Sequence, residues 1–156
     1  MTLPTIILRH RRENLKKCSL QGLENRSDLI FLTYPIDLLP DLSNYLLLKV
    51  GAPPLSSLDA NRGLFIIDGT WKLAAVMERQ CPRIETRSLP GNFQTAYPRR
   101  QTECIDPEKG LASVEALYLA HLILERNVEG LLDHYHWKNQ FLKNASTAAA
   151  GLGLAQ

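Results

Sequence analysis

Four short, largely apolar runs bounded by turn-forming residues are the strongest constraint on how this chain folds. They are Thr5–Leu8, Leu29–Leu32, Tyr45–Leu48 and Leu64–Ile67. Strands that are apolar along their whole length, rather than at every second position, are typical of a parallel sheet covered on both faces. The pattern therefore predicts parallel strands at these four places.

Helical patterns lie between and after the predicted strands. The predicted elements are a short helix within Asn14–Arg26, a helical turn through Asn61 capped by Ser57, a helix over Lys72–Arg79, one more strand over Phe93–Ala96, and helices over Ser113–Asn127 and Val128–Leu142. Strands alternating with helices, followed by a helical end, predict a layered α/β domain.

The chain has 156 residues, a length that fits one domain. We expect that domain to span residues 1–144, and the small residues of 145–156 to form a flexible tail. No apolar run approaches the roughly 20 residues of a membrane span. The three cysteines show no CxxC spacing, so neither a disulfide framework nor a cysteine-built zinc site is expected. We expect a cytoplasmic protein without a membrane partner.

Basic residues are concentrated in two segments, although the net charge is only +2. The first segment holds Arg9, Arg11, Arg12, Lys16 and Lys17, and the second holds Arg79, Arg83, Arg87, Arg99 and Arg100. If folding brings the segments together, they form a basic face able to hold phosphates. Two separate solvated surfaces would explain the same charges equally well.

The turn Asp68–Trp71 is the main candidate for a functional site. It follows a buried strand and enters a helix, at the edge of an α/β sheet where ligands usually bind. Gly69 lets the backbone approach a ligand closely. Trp71 offers a flat apolar wall, and Asp68 offers a carboxylate to an ammonium group. Local pattern alone favours the alternative, in which Asp68 and Thr70 cap the helix and Trp71 is core.

The four histidines do not predict a metal site. His134 and His136 would point to different sides of a helix, and no carboxylate or cysteine is suitably placed beside them. His121 lies on an apolar helical face and is expected to be a hydrogen-bonded core residue. No GxGxxG motif, Walker loop or nucleophile elbow occurs.

Six segments, taken in order, resemble one known family. They are Lys17–Ser19, Leu55 to Leu64, Asp68–Trp71, Arg87–Pro90, Leu111–Ala116 and Tyr135–Leu142. Together they resemble the aminocarboxypropyltransferases that modify small-subunit ribosomal RNA during ribosome maturation, and the related DTW-domain tRNA enzymes. The tRNA enzymes commonly add paired cysteines, and their absence here favours the rRNA branch.

The resemblance implies a SPOUT-like fold with a C-terminal knot and S-adenosylmethionine as cofactor. The activity would be transfer of the 3-amino-3-carboxypropyl group to a uridine or pseudouridine of small-subunit rRNA, with release of methylthioadenosine. The implied catalytic residues are Asp68 and Trp71. Asp68 would orient the ammonium group of the cofactor or assist removal of the imide proton, and orientation is favoured because an acid so near a cation should stay ionised and be a poor base. Trp71 would wall in the methyl group or arm of the cofactor. The implied cofactor-binding residues are Ser19, Leu47, Asp68, Gly69, Thr70, Trp71, Leu89, Leu111, Ala112 and Ser113. The RNA would be held by Arg9, Arg11, Arg12, Lys16, Lys17, Arg99 and Arg100. We expect a monomer without metal.

Two departures from the family pattern leave alternatives open. Ala96–Arg100 stands where the family usually has Asn-Tyr-Gly-Arg-Pro. Ala112 replaces a serine that would form a capping box with Glu115, and Ser113 is the expected substitute cap. The alternatives are an RNA methyltransferase of the same fold, a non-catalytic RNA-binding factor in ribosome assembly, and an unrelated α/β domain.

Overall fold

The structure is a computed structural model that describes residues 3–12, 19–69, 71–89 and 112–152, with the backbone alone for Trp71 and residues 147–152. The strands are β1 Thr5–His10, β2 Leu29–Tyr34, β3 Tyr45–Leu48, β4 Gly63–Asp68 and β5 Glu85–Arg87. The helices are α1 Trp71–Gln80, α2 Ser113–Ile123 and α3 Lys138–Leu152, with a 3-10 turn over Ser57–Asp59.

The strands form one parallel sheet in the order β2-β1-β4-β3-β5. The four strands predicted from the apolar runs are present, and the predicted layered α/β class is confirmed. In the register, Arg9 lies beside Asp68, and His10 lies beside Tyr34. The carboxyl ends of all five strands therefore meet at one edge of the sheet.

Helices cover both faces of the sheet, which explains why the strands are apolar throughout. On one face Leu8 and Phe65 pack with Met77 of α1. On the other face Ile7 and Ile66 pack in a cluster with residues of α2 and α3, including Val114, Leu117 and Phe141. Successive strand residues alternate between the faces, so Asp68 projects to the same side as Ile66.

Strand β5 was not predicted from the sequence. Its residues Glu85, Thr86 and Arg87 make no apolar run, because it is an exposed edge strand paired on one side with β3. Its side chains form ion pairs. Nη1 of Arg62 lies 3.2 Å from Oε1 of Glu85, and Nε of Arg87 lies 3.3 Å from Oδ2 of Asp59.

Several predicted helix boundaries are wrong. Residues 19–26 form turns, and the remainder of that predicted helix lies outside the described residues. Helix α2 ends at Ile123 rather than Asn127, since Glu125 takes a left-handed conformation with φ 58°. Residues 129–134 form turns around Gly130, at φ 79°, and the last helix begins only at Lys138.

Helix α3 continues beyond the predicted end of the domain at residue 144. Ala145 is buried in the core beside Phe141, and the helix runs to Leu152. Alanine is the strongest helix former, so the small residues that suggested a tail propagate the helix instead. The predicted strand Phe93–Ala96 and residues 153–156 lie outside the described part of the chain.

The prediction for His121 is confirmed. Its ring is buried, its Nε2 lies 2.9 Å from the Thr5 hydroxyl, and its Nδ1 lies 3.2 Å from the Asn127 carbonyl oxygen. The 3-10 turn begins one residue earlier than predicted, because Ser56 rather than Ser57 accepts the capping hydrogen bond, from the N–H of Leu58. Within the described residues, no helix is long and apolar enough to cross a membrane.

Candidate functional site

Asp68 stands at the carboxyl end of β4 and joins three elements. Asp68 is 5% exposed. Oδ1 accepts a 2.7 Å hydrogen bond from the Ser113 hydroxyl, at the first residue of α2. Oδ2 lies 3.5 Å from Nε of Arg9, on the neighbouring strand β1. The carboxylate therefore ties β1, β4 and the start of α2 together at the edge where ligands usually bind.

Arg9 lies in the interior and not on a surface. It is 8% exposed, its Nη1 donates to Glu24 Oε2 at 3.3 Å, and its guanidinium lies 4.7 Å from the centroid of the Phe31 ring. This position does not fit the prediction that Arg9 contacts the RNA backbone, because its guanidinium faces two carboxylates and an aromatic ring. We call Arg9, Glu24 and Asp68 the charged cluster.

Glu24 is the second carboxylate of the charged cluster. Burial acts to raise its pKa, but backbone N–H groups, including that of Gly22 at 2.9 Å, and the charge of Arg9 lower the pKa overall. Sequence reasoning missed both Glu24 and Phe31. No local pattern relates either residue to Arg9, because the contacts form only when β1, β2 and the turns before β2 come together.

The first turn of α2 is held by side chains from distant parts of the chain. The hydroxyl of Ser19 accepts the Val114 N–H at 3.1 Å, across 95 residues of sequence. Glu115 is fully buried, and its two oxygens accept the Ala112 N–H at 2.8 Å and the Tyr135 hydroxyl at 3.0 Å. The prediction that Ser113 caps this helix is wrong. Its hydroxyl is directed to Asp68, and Ser19 provides the cap.

The other predicted cofactor-binding residues are distributed over both faces of the sheet. Leu89 is partly buried and packs against core clusters that include residues of α2, and Ala112 is buried. Leu47 is buried on the α1 face, where it lines a cavity of about 560 Å³ together with Lys49 and Arg87. Thr70, Leu111 and the side chain of Trp71 lie outside the described part of the structure.

Gly69 has no conformational reason to be a glycine. Its φ is outside the left-handed region, and a Cβ there would lie 3.6 Å from Leu73 Cβ and 3.7 Å from Met77 Sδ, which are ordinary contacts among the described residues. At Gly63, by contrast, a Cβ would lie 2.5 Å from the Tyr45 ring. Close approach of a ligand remains a reason for glycine at position 69.

Two of the predicted RNA-binding arginines are exposed at the same edge. Arg11 and Arg12 follow β1, and the Arg12 N–H donates to Nδ1 of His10 at 3.0 Å. Burial, and then the charges of Arg12 and Arg11, lower the pKa of His10. The remaining predicted RNA-binding residues, Lys16, Lys17, Arg99 and Arg100, lie outside the described ranges. The described residues contain no cluster of histidine, cysteine and carboxylate side chains suited to a metal.

Comparison with known proteins finds a match among solved structures but none among family models or curated sequences. No model of a protein family matches the chain, and a search of curated proteins finds no match. Three solved chains match, and one of them is the SAM-dependent rRNA:acp-transferase Tsr3 from Vulcanisaeta distributa. The likeness covers 96% of this chain and 85% of that one, with a TM-score of 0.71 and 22% identity. The two chains therefore share a fold.

Proposed function

We propose that this protein is an S-adenosylmethionine-dependent aminocarboxypropyltransferase acting on small-subunit ribosomal RNA. The acceptor would be a uridine or pseudouridine, and the by-product would be methylthioadenosine. The observation that carries the proposal is the shared fold with an rRNA:acp-transferase over nearly the whole chain. The arrangement of Asp68, Ser113 and Ser19 supports it, since all three belong to segments that resemble that family.

The charged cluster suits the cofactor. Taken by themselves, Glu24 and Asp68 against Arg9 give the charged cluster one net negative charge. S-adenosylmethionine carries a sulfonium and an ammonium group against one carboxylate, so a negative site attracts it. Gly69 adds space for close approach beside Asp68, because neither its conformation nor crowding by described residues requires a glycine. The charged cluster and Gly69 therefore fit this cofactor.

We assign to Asp68 the orientation of the ammonium group. Its carboxylate is held at the carboxyl end of β4 by the Ser113 hydroxyl and the Arg9 guanidinium, which fixes the orientation of a negative group at the edge of the sheet. Trp71 opens α1 immediately after this turn, and its indole provides a π face suited to a cation. When bound, S-adenosylmethionine would supply the aminocarboxypropyl arm that passes to a ring nitrogen of the base.

Catalysis by this chain would consist chiefly of positioning. Placing the base in line with the bond to be broken converts a bimolecular reaction into an effectively unimolecular one. Arg11 and Arg12, with Lys16, Lys17, Arg99 and Arg100, would hold the RNA backbone. The proposal includes a SPOUT-like fold with a C-terminal knot, a monomeric state, no metal requirement and a cytoplasmic location.

Calorimetric titration with S-adenosylmethionine tests the proposal without a choice of RNA. We expect micromolar binding that is lost in Trp71→Ala and retained in Trp137→Ala. Trp137 is a matched control, since it is 37% exposed and lies directly before α3. Absence of binding by the wild-type protein would refute the enzyme proposal.

A further inference from the structure

We propose that Arg9 is a positioning residue that acts through Asp68 to hold the first turn of α2 against the carboxyl end of β4. Arg9 would not touch cofactor or RNA. The role of that turn in holding the cofactor rests on the function proposed above, whereas the mechanical link itself does not.

The Arg9 side chain is held in place by an aromatic ring and a carboxylate. Its guanidinium lies over the Phe31 ring at 4.7 Å and reaches Glu24 at 3.3 Å. Stacking on an aromatic face while pairing with a carboxylate uses the flat, forked shape of an arginine head group. The Arg9 side chain is 9% exposed, so its guanidinium is largely shielded from water, although Glu24 itself lies at the surface. Arg9 is therefore a rigid support and not a mobile surface cation.

The second step runs from Arg9 to α2. Nε of Arg9 lies 3.5 Å from Asp68 Oδ2, and the opposite oxygen of the carboxylate accepts from Ser113 at 2.7 Å. The carboxylate is thus held between a cation on β1 and a hydroxyl on α2. Removing the cation leaves the buried carboxylate of Asp68 without its partner on β1 and close to the exposed carboxylate of Glu24, and Asp68 should turn away from Ser113.

A positioning role and simple electrostatic attraction predict opposite changes in cofactor affinity when Arg9 is replaced. Without Arg9 the charged cluster has two negative charges, and electrostatic attraction alone predicts tighter binding of a net cationic ligand. If Arg9 works by positioning, its removal weakens binding because the first turn of α2 loses its anchor. The sign of the change in affinity therefore distinguishes the two.

The experiment compares three variants in the full chain. Arg9→Met keeps the apolar stem without the charge, and Arg9→Lys keeps the charge but cannot stack and fork in the same way. Arg26→Met is the matched control, because Arg26 forms a partly buried ion pair with Asp28 at 2.8 Å, before β2 at the opposite edge of the sheet. Amide hydrogen exchange over residues 114–117 is measured without ligand, and S-adenosylmethionine affinity is measured by calorimetry.

We expect Arg9→Met to speed exchange in the first turn of α2 by about tenfold and to weaken cofactor binding by about tenfold, a change of about 1.4 kcal/mol in each case. Arg9→Lys should give intermediate values, and Arg26→Met should leave both unchanged. Should Arg9→Met fail to fold, the intermediate response of Arg9→Lys tests the same link.

The outcomes separate this proposal from the proposed function. Exchange over residues 114–117 that is the same in Arg9→Met or Arg9→Lys as in the wild-type protein overturns the positioning role, whatever the cofactor result. Tighter binding in Arg9→Met also overturns it. Faster exchange in a protein whose wild-type form does not bind S-adenosylmethionine supports the link and refutes the proposed function.

Discussion

The hydroxyl of Ser113 donates a 2.7 Å hydrogen bond to Asp68, joining residues 45 positions apart in sequence. The contact connects the first residue of α2 to the last residue of β4. It lies among segments that resemble one family of RNA-modifying enzymes. The same hydroxyl was expected to cap its own helix, so its direction is a tertiary feature of this fold.

Removing that hydroxyl should weaken cofactor binding more than it weakens the fold. We expect Ser113→Ala to lower the free energy of unfolding by about 1 kcal/mol, as for a typical lost hydrogen bond. Cofactor affinity should fall about tenfold, because 1.4 kcal/mol of positioning corresponds to that factor. Chemical denaturation and calorimetry measure the two effects. Ser57→Ala, at an exposed position, is the control, and equal affinity in both variants would contradict the assignment.

Substitution by alanine should affect ligand binding at Gly69 and the stability of the fold at Gly63. Gly69→Ala should leave the melting temperature nearly unchanged, because the added Cβ makes ordinary contacts at 3.6 Å and beyond. It should nevertheless lower cofactor affinity if the ligand approaches that backbone. Gly63→Ala should destabilise the fold by about 1–3 kcal/mol, since its Cβ would overlap the Tyr45 ring. Unchanged cofactor affinity in Gly69→Ala would remove Gly69 from the site.

The sequence was sufficient to predict the sheet but not the charged cluster. Apolar runs such as Leu64–Ile67 predict buried strands because both faces of a parallel sheet are covered. The polar edge strand Glu85–Arg87 has no such signal. Arg9 resembled its exposed neighbours Arg11 and Arg12 in sequence, but Arg9 lies inside β1, on the face that carries Phe31 and α2, whereas Arg11 and Arg12 lie beyond the end of the strand.

Stability should fall as pH is lowered below about 6.5 because of two histidines. Burial lowers the pKa of His121 below its ordinary value of 6.5, against the opposing effects of the Asn127 carbonyl and Asp28. The unfolded chain therefore binds a proton at His121 at a higher pH than the folded chain does. The contribution of buried, neutral His121 to stability is complete above pH 6.5. It is lost as the pH falls through the lower pKa that His121 has in the folded chain. His10, whose pKa is also lowered, acts in the same direction.

Thermal melts between pH 5 and pH 8 measure this dependence. His121→Gln should be less stable at pH 8 by about 1–3 kcal/mol, because Thr5 and Asn127 lose their partner, but it should lose less stability on acidification. His136→Gln, at an exposed position, is the control and should follow the wild-type protein. An identical pH dependence in His121→Gln and wild-type protein would contradict this account.

Exposed arginines should contribute to RNA affinity in a salt-dependent way. The double variant Arg11→Ala/Arg12→Ala should bind RNA more weakly, and its slope of log affinity against log salt should be smaller by about 1.5, as expected for two lost phosphate contacts. Cofactor affinity should not change. The double variant Lys138→Ala/Lys143→Ala on α3 has the same charge change outside the two basic segments. Equal salt slopes in the two variants would argue against an RNA surface at the end of β1.

The helical end of the chain was predicted only in outline. Ala145 to Gly151 are small residues, which in isolation suggest a tail, yet Phe141 and Ala145 dock one face of α3 into the core. The start of α3 depends on the turns around Gly130, a tertiary arrangement that helical periodicity does not report. Likewise, the cap that Ser19 provides to α2 spans 95 residues, beyond the reach of any local capping rule.

The by-product formed with S-adenosylmethionine and small-subunit rRNA tests the central claim most directly. Chromatography with mass detection distinguishes methylthioadenosine from S-adenosylhomocysteine. The account predicts methylthioadenosine, formed with wild-type protein and lost in Trp71→Ala. S-adenosylhomocysteine would show methyl transfer instead, and formation of neither product would indicate a non-catalytic RNA-binding role. Either of these two results would contradict the account.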